Sequence, residues 1–342
     1  MARVVESNRT MNSRSLFLAV LLFAGLTARV RAWDPYGHMM VSHVAVERLT
    51  PHARAVVEGL VREVRFPGTT YTPVTVGCWM DDIRQKSPDI PFSGKFKPWH
   101  YINWGLETGD TSQPLQPGND DDTRSGNVIQ GLGRCTAVLE GGTDPYIPDK
   151  ATALAMLFHL VADVHQPLHC ASQHYTGASG KASTDSGGNR VFIDNAPEVV
   201  LPGNNRQKAN LHAFWDAAYR AKFNAQTGQL DMDPAYNDYT RHDLELLKPL
   251  LASIGGRVPD PSMPLDSSYE SWGRESNALA REFAYGRLPS LKDHTWAKVD
   301  EAYVNAAGEM GRQRIVLAGW RLADRLNRIF AAAPEPAAAP VK

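Results

Sequence analysis

The chain lacks the charge bias that binds a polyanion in bulk. Its 342 residues hold 36 lysines and arginines against 37 aspartates and glutamates, a formal net charge of −1. A protein gripping nucleic acid by broad phosphate neutralisation carries a basic excess, so any nucleic acid must be handled through a local site. Cysteine is scarce: Cys78, Cys135 and Cys170 are all there is. An odd count excludes a fully paired disulfide framework, and the spacing offers no zinc ribbon. One disulfide plus a free thiol, or three buried thiols, both remain open. The H-E-x-x-H pattern is missing, which removes the helical metalloprotease site. Beyond residue 32 there is no Asn-x-Ser/Thr sequon, and no apolar run able to cross about 30 Å of hydrocarbon. No internal repeat or shift of composition divides the chain.

What is present begins with an address. Arg3, Arg9 and Arg14 precede the apolar run S-L-F-L-A-V-L-L-F-A-G-L at 15–26, and Val30-Arg31-Ala32 supplies small residues at the −3 and −1 positions of a cleavage site. Residues 1–32 therefore read as a signal peptide, and the product as secreted or periplasmic, with no membrane contact once trimmed. Cleavage makes Trp33 the first mature residue. Residues 33–330 read as one α-helical domain, and 331–342 (A-A-P-E-P-A-A-A-P-V-K after Ala331) as a disordered Pro/Ala tail.

Apolar residues at three- and four-residue spacing predict helices near 35–49, 51–65, 74–85, 126–139, 150–166, 209–222, 235–254, 267–284 and 297–330. The last should bend near Gly308 or Gly311. Only R-V-F-I-D at 190–194 reads as a strand. The fold class is thus mainly α, a compact multi-helix domain with a small β-hairpin and long loops at 105–125 and 171–188.

The densest chemistry lies in F-H-L-V-A-D-V-H-Q-P-L-H, residues 158–169. His159 and Asp163, four apart, share one helix face and can reach one cation. Pro167 cannot continue that helix, so the chain turns near Gln166 and re-aims His169. The spacing recurs in N-L-H-A-F-W-D, with His212 and Asp216. A single such pair is most simply a hydrogen bond along a helix. Two, joined by Asp81 of C-W-M-D-D-I-R and His100 of P-W-H-Y-I-N, point to water-bearing zinc sites, because histidine and carboxylate without thiolate suit open rather than closed sites. His165 and Asp82 read as supporting or surface groups, and Asp120–Asp122 as a solvated loop.

The ordered series W-D-P-Y-G-H, W-M-D-D-I-R, W-H-Y-I-N, H-L-V-A-D-V-H-Q-P-L-H, G-G-N and N-L-H-A-F-W-D, spanning 33–216, resembles the single-strand-specific zinc nucleases of the S1/P1 family, relatives of the zinc-dependent phospholipases C. The resemblance implies three zinc ions. One is bound by the free amine and carbonyl oxygen of Trp33, with His38 and Asp163. A second takes Asp81, His100, His159 and again Asp163, which bridges the close pair. The third takes His169, His212 and Asp216. It further implies cleavage of single-stranded RNA and DNA to 5′-phosphorylated products, with 3′-nucleotides as additional substrates and no stable protein partner. Asp163 and Asp81 would hold and orient the attacking water, and Arg84, three residues beyond Asp81, would pair with charge on the phosphate. Tyr101 and Asn189 fall where relatives stack and read a base. Asn103 stands where many relatives carry aspartate, which changes an acceptor into a donor and acceptor. Two rivals are a phospholipase C on the same scaffold and a zinc- or nucleic-acid-binding protein without turnover. Relatives of the first kind carry glutamate at the place of Asp216 and lack the G-G-N turn.

An α-amino group has a pKa of about 7.7–8.0, so a metal displaces its proton at little cost near neutrality. A Trp33 acylated by one extra residue has no such nitrogen. The one-residue-extended protein should bind one zinc more weakly and turn over more slowly. Metal analysis beside rate measurement checks this, and an unchanged pair of values would refute the role of the terminus.

Overall fold

In the computed structural model the described residues are 33–86, 96–106, 126–176, 182–200, 206–233 and 242–331. The expected leader, Asp120–Asp122 and the tail from residue 332 lie outside them. Helices dominate, as expected. They are α1 (Pro35–Val46), α2 (Pro51–Val61), α3 (Trp79–Lys86), α4 (Val128–Leu139), α5 (Lys150–Val164), α6 (Leu211–Asp216), α7 (Leu244–Ile254), α8 (Tyr269–Leu279) and α9 (Glu301–Ile329). No described helix is long and apolar enough to cross a membrane.

The starts are set by side chains that take over unsatisfied backbone N–H groups. Asp34, Thr50, Asp149, Asn210 and Asp300 accept from Gly37, Ala53, Thr152, Ala213 and Tyr303 respectively. Asn127 forms a reciprocal capping box with Gln130. α5 is apolar nearly all round, and every residue from Ala153 to Val164 is buried, which makes it the central helix. α4 packs along it, and α1 packs along α9. Most of this forms the main apolar cluster. A second cluster gathers Leu168, Val191, Leu211, Phe214, Trp215 and the start of α9.

The structure departs from expectation at several places. The helix expected over 209–222 ends at Asp216 before a 3₁₀ turn and a strand, and that expected from 74 begins at Trp79. α9 runs unbroken through Gly308 and Gly311; these glycines instead admit close approach, since a Cβ on either would lie 3.1 Å from backbone of Ala218 or Tyr219. The expected helix over 297–330 starts later, because Trp296–Lys298 is a strand. Instead of one small hairpin there are nine short strands among the described residues. β1 (His174–Thr176) pairs with β2 (Ala182–Thr184). β3 (Phe192–Ile193) runs parallel to a later strand. β4 (Glu198–Val200) pairs with β5 (Arg206–Lys208), and β6 (Lys222–Asn224) with β7 (Gln229–Asp231). Finally β8 (Ser290–Lys292) and β9 (Trp296–Lys298) complete a sheet in the order β3-β9-β8. β3 lies within the strand expected at 190–194, whereas the other runs, of three residues each, carry too little alternation to be read in advance. The three cysteines are buried free thiols.

Gly319 of α9 sets the spacing to α1, where an added Cβ would stand 2.4 Å from Val44 Cγ1. Gly319→Ala should destabilise the protein by about 1–3 kcal/mol through overpacking. Denaturant unfolding measures it, and a neutral change would mean the helices are not in close contact.

Candidate metal centre

Three groups of buried side chains bring together donor atoms within 4.8 Å of one another: His38 with His159 and Asp163, Asp81 with His100 and His159, and His169 with His212 and Asp216. They come from α1, α3, α5, α6 and two 3₁₀ turns at Lys97–His100 and Pro167–Cys170. The second turn is the break expected at Gln166: the helix stops at Val164 and Pro167 opens the turn that carries His169.

Asp163 belongs to the first group and also lies against two histidines of the second. Its Oδ1 lies 3.6 Å from His38 Nε2, while its Oδ2 lies 3.2 Å from His159 Nε2 and 3.1 Å from His100 Nδ1. His159 Nε2 and His100 Nδ1 are 3.0 Å apart. An ion about 2.0–2.1 Å from each donor in a tetrahedron separates donors by about 3.3 Å, so these spacings match. His38 also stacks on His159, 4.0 Å between ring centres at 11°.

The other ring nitrogens are fixed by carbonyls. His159 Nδ1 lies 2.6 Å from Gly77 O, His169 Nδ1 2.6 Å from His100 O, and His212 Nδ1 2.7 Å from Gly187 O. A carbonyl only accepts, so each Nδ1 carries a proton, and in the neutral imidazole each Nε2 presents a lone pair. His169 Nε2 and His212 Nε2 then face each other at 3.1 Å, with Asp216 Oδ1 at 3.8 and 3.7 Å. Two lone pairs and a carboxylate converging in a buried site repel unless a cation lies between them. The same backbone-carbonyl bond is the usual support of a ligating histidine. The residues fit metal ions.

Charge agrees with this. Burial pushes the Asp216 carboxyl well above its ordinary range; Gln166 draws it back, and the carboxylates of Asp34, Asp163 and Asp81 raise it further. Burial lowers His159, but the Asp163 carboxylate outweighs it and the net direction is upward. Such a concentration of buried acids is stable as anions only beside positive charge.

The remaining expected residues divide. Trp33 is fully buried, and its indole Nε1 donates to Ala162 O at 2.9 Å, next to Asp163. Asp34 N donates to Asp216 O at 3.1 Å, which brings the start of the expected mature chain against the third group. Tyr101 is buried and Asn103 half-buried, directly after His100. Asn189 is buried in the G-G-N turn, where its Nδ2 donates to Ser186 O at 2.8 Å. Arg84 sits on α3, with its side chain outside the described residues. Asp82 joins none of the three groups: it accepts from Tyr71 Oη at 2.7 Å and pairs with His242 at 3.3 Å. His165 is buried, not on the surface. Burial, then Arg314 and Arg321, holds it well below its ordinary range and therefore neutral.

Sequence reasoning missed the supports. Asp34 caps α1, pairs with Arg220 at 2.7 Å and accepts from Tyr219 Oη. Its place before Pro35 is a helix-start signal that gives no hint of the partner at Arg220. Gln166 Nε2 donates to Asp216 Oδ1 at 2.7 Å, while its Oε1 accepts from Leu168 N. Asp185 holds the 186–190 turn through Ser172, Gln173 N and Tyr285.

With this geometry in place, the comparisons decide the family. The model of the S1/P1 Nuclease family matches residues 33–331. The chain belongs to the S1/P1 nuclease family. It is 23% identical to Endonuclease 1 of Arabidopsis thaliana over 328 residues, 92% of each chain. It is 24% identical to Nuclease S1 of Aspergillus oryzae over 202 residues, 58% of this chain and 57% of that one. It is a nuclease, a hydrolase of nucleic acids in a metal-dependent family.

For this nuclease, Gln166→Leu should remove the donor that orients Asp216. Loss of an outer support of this type weakens metal affinity on the order of 10–100-fold. Competition with a graded chelator measures it, and unchanged affinity would show that Asp216 needs no such partner.

Proposed function

We propose that this nuclease carries three zinc ions and cleaves single-stranded RNA and DNA to 5′-phosphorylated products, with 3′-nucleotidase activity, after export to the periplasm or beyond and removal of residues 1–32. The supporting observation is the facing pair His169 Nε2 and His212 Nε2, whose Nδ1 protons are already committed to carbonyls. Zinc suits the donor set, which is imidazole and carboxylate without thiolate.

In this reading Trp33, His38 and Asp163 hold one ion, Asp81, His100, His159 and Asp163 the second, and His169, His212 and Asp216 the third. Asp163 suits the shared role because its two oxygens are turned to different histidines. When bound, zinc makes water a competent nucleophile near neutrality and offsets charge on phosphoryl oxygens. The protein's own groups do the rest. Asp81, an acceptor only, orients the attacking water through its proton. Arg84, about one turn beyond on α3, neutralises charge gathering on the phosphate. Tyr101 supplies a stacking face for the base. Asn103 and Asn189 read its edge, Asn189 with its Oδ1 and the second N–H of Nδ2, the first being given to Ser186 O. A base still paired in a duplex does not reach such a site, which accounts for the single-strand preference.

The test uses the chain starting at Trp33 on denatured and duplex DNA. Denatured DNA should yield acid-soluble, 5′-phosphorylated nucleotides, and exhaustive chelation should stop the reaction until zinc is returned. Asp163→Asn should lower kcat/KM by on the order of a hundredfold or more, because even outer supports of a metal site cost 10–100-fold. Undiminished turnover after chelation, or phosphocholine release from lecithin in place of nucleotides, would overturn the proposal.

A further inference from the structure

The three-stranded sheet β3-β9-β8 has an outer face that the proposed chemistry leaves unused. In β9 Ala297 is buried while Trp296 and Lys298 are exposed, and in β8 Lys292 is exposed. Trp296 is 44% exposed, one of few large apolar side chains on the described surface. Register places Lys292 directly across from Trp296 on one side and Phe192 of β3 beside it on the other. Directly paired residues project from the same face. Phe192 and Trp296 lie 5.6 Å apart between ring centres, tilted by 45°. The face therefore reads aromatic, aromatic, lysine across the sheet, with Lys298 further along β9.

A second aromatic pair lies at the end of the same hairpin. In the turn between β8 and β9, His294 stacks on Tyr175 of β1, with 4.6 Å between centres and 6° between planes. His294 holds φ = +55°, a left-handed backbone conformation that glycine adopts without strain. Asp293 beside it also has a positive φ, as the reversal between β8 and β9 requires, and the half-buried ring lies 3.2 Å from Gln173 Oε1. The platform is also tied to the metal centre. β3 directly follows the 186–190 turn, whose Gly187 carbonyl holds His212. Asp185, at the head of that turn, binds Gln173 N two residues before Tyr175.

We propose that this outer face is a subsite for the unpaired strand beyond the scissile phosphate, with bases stacking on Trp296 and the lysines neutralising phosphates. Aromatic surface flanked by cations is what sequence-tolerant single-strand binding needs, since every base has a π-face. The inference rests on the nuclease acting on single strands. It explains how a chain of net charge −1 retains a strand: the positive charge needed is local.

The experiment compares the wild-type protein with Trp296→Ala, Trp296→Phe and the pair Lys292→Ser with Lys298→Ser. Binding of a fluorescent phosphorothioate oligothymidine of about 12 nucleotides is followed by anisotropy, and hydrolysis of a dinucleotide is followed in parallel. Trp296→Ala should weaken oligonucleotide binding by about fivefold to a hundredfold and leave dinucleotide hydrolysis unchanged, with Trp296→Phe restoring most of the loss. The lysine pair should flatten the dependence of binding on salt by about 1.4 units of log–log slope, about 0.7 per phosphate contact on a single strand. Equal binding by wild type and Trp296→Ala, or parallel losses on strand and dinucleotide, would overturn the platform. Failure of the wild type to hydrolyse the dinucleotide or an ordinary phosphodiester oligothymidine would instead overturn the single-strand nuclease reading, because the phosphorothioate binding arm needs no turnover.

Discussion

Three imidazoles are pinned by backbone carbonyls so that their remaining lone pairs point inward, and the rest of the structure follows from that constraint. Gly77, His100 and Gly187 supply the carbonyls. Each belongs to a segment whose own path must then be fixed. Gly77 lies in the 3₁₀ turn leading into α3, where a Cβ would stand 2.6 Å from Ser42 Oγ. Gly187 sits at φ = +63°, where a Cβ would stand 2.6 Å from Leu168 O. One turn thus brings Asp81 to the first groups, and the other brings His212 to the last.

The second requirement is a rigid place to turn. α5 carries His159 and Asp163 and must end before His169 can face the other way. Its last carbonyls are claimed one by one: Val161 O by His165 Nδ1 at 2.7 Å, Val164 O by Ser276 Oγ at 2.5 Å, and His165 O by Arg314 Nε at 3.1 Å. Arg321 then donates to His165 Nε2 at 3.0 Å and pairs with Glu275 at 2.7 Å. Buried networks of this type give rigidity only when all members are satisfied. Here they tie the end of α5 to α8 and α9, two helices that contribute no donor to the three groups.

Much of this was legible in the sequence. The His-x-x-x-Asp spacings on α5 and α6 and the break at Gln166-Pro167 are local patterns, and local patterns survive folding. Illegible were the long-range partners: Arg220 for Asp34, Arg314 and Arg321 for the end of α5, and Tyr285 for Asp185. Each pairs residues about 100 or more apart, and no spacing rule reaches that far. β3 lies inside the strand expected at 190–194; the others escaped for a different reason. At three residues each they are fixed by neighbours, not by their own alternation. The bend expected at Gly308 and Gly311 failed because glycine in a helix can serve close packing as readily as a kink.

The account's central claim is that cations, not protons, reconcile the facing imidazoles and carboxylates. Element-resolved mass spectrometry of the purified chain beginning at Trp33, after removal of loosely bound ions, tests it most directly. The account predicts three zinc ions per chain, falling to two when His169 and His212 are both replaced by alanine. A folded protein that retains no metal, or one whose metal content is indifferent to that replacement, would contradict it.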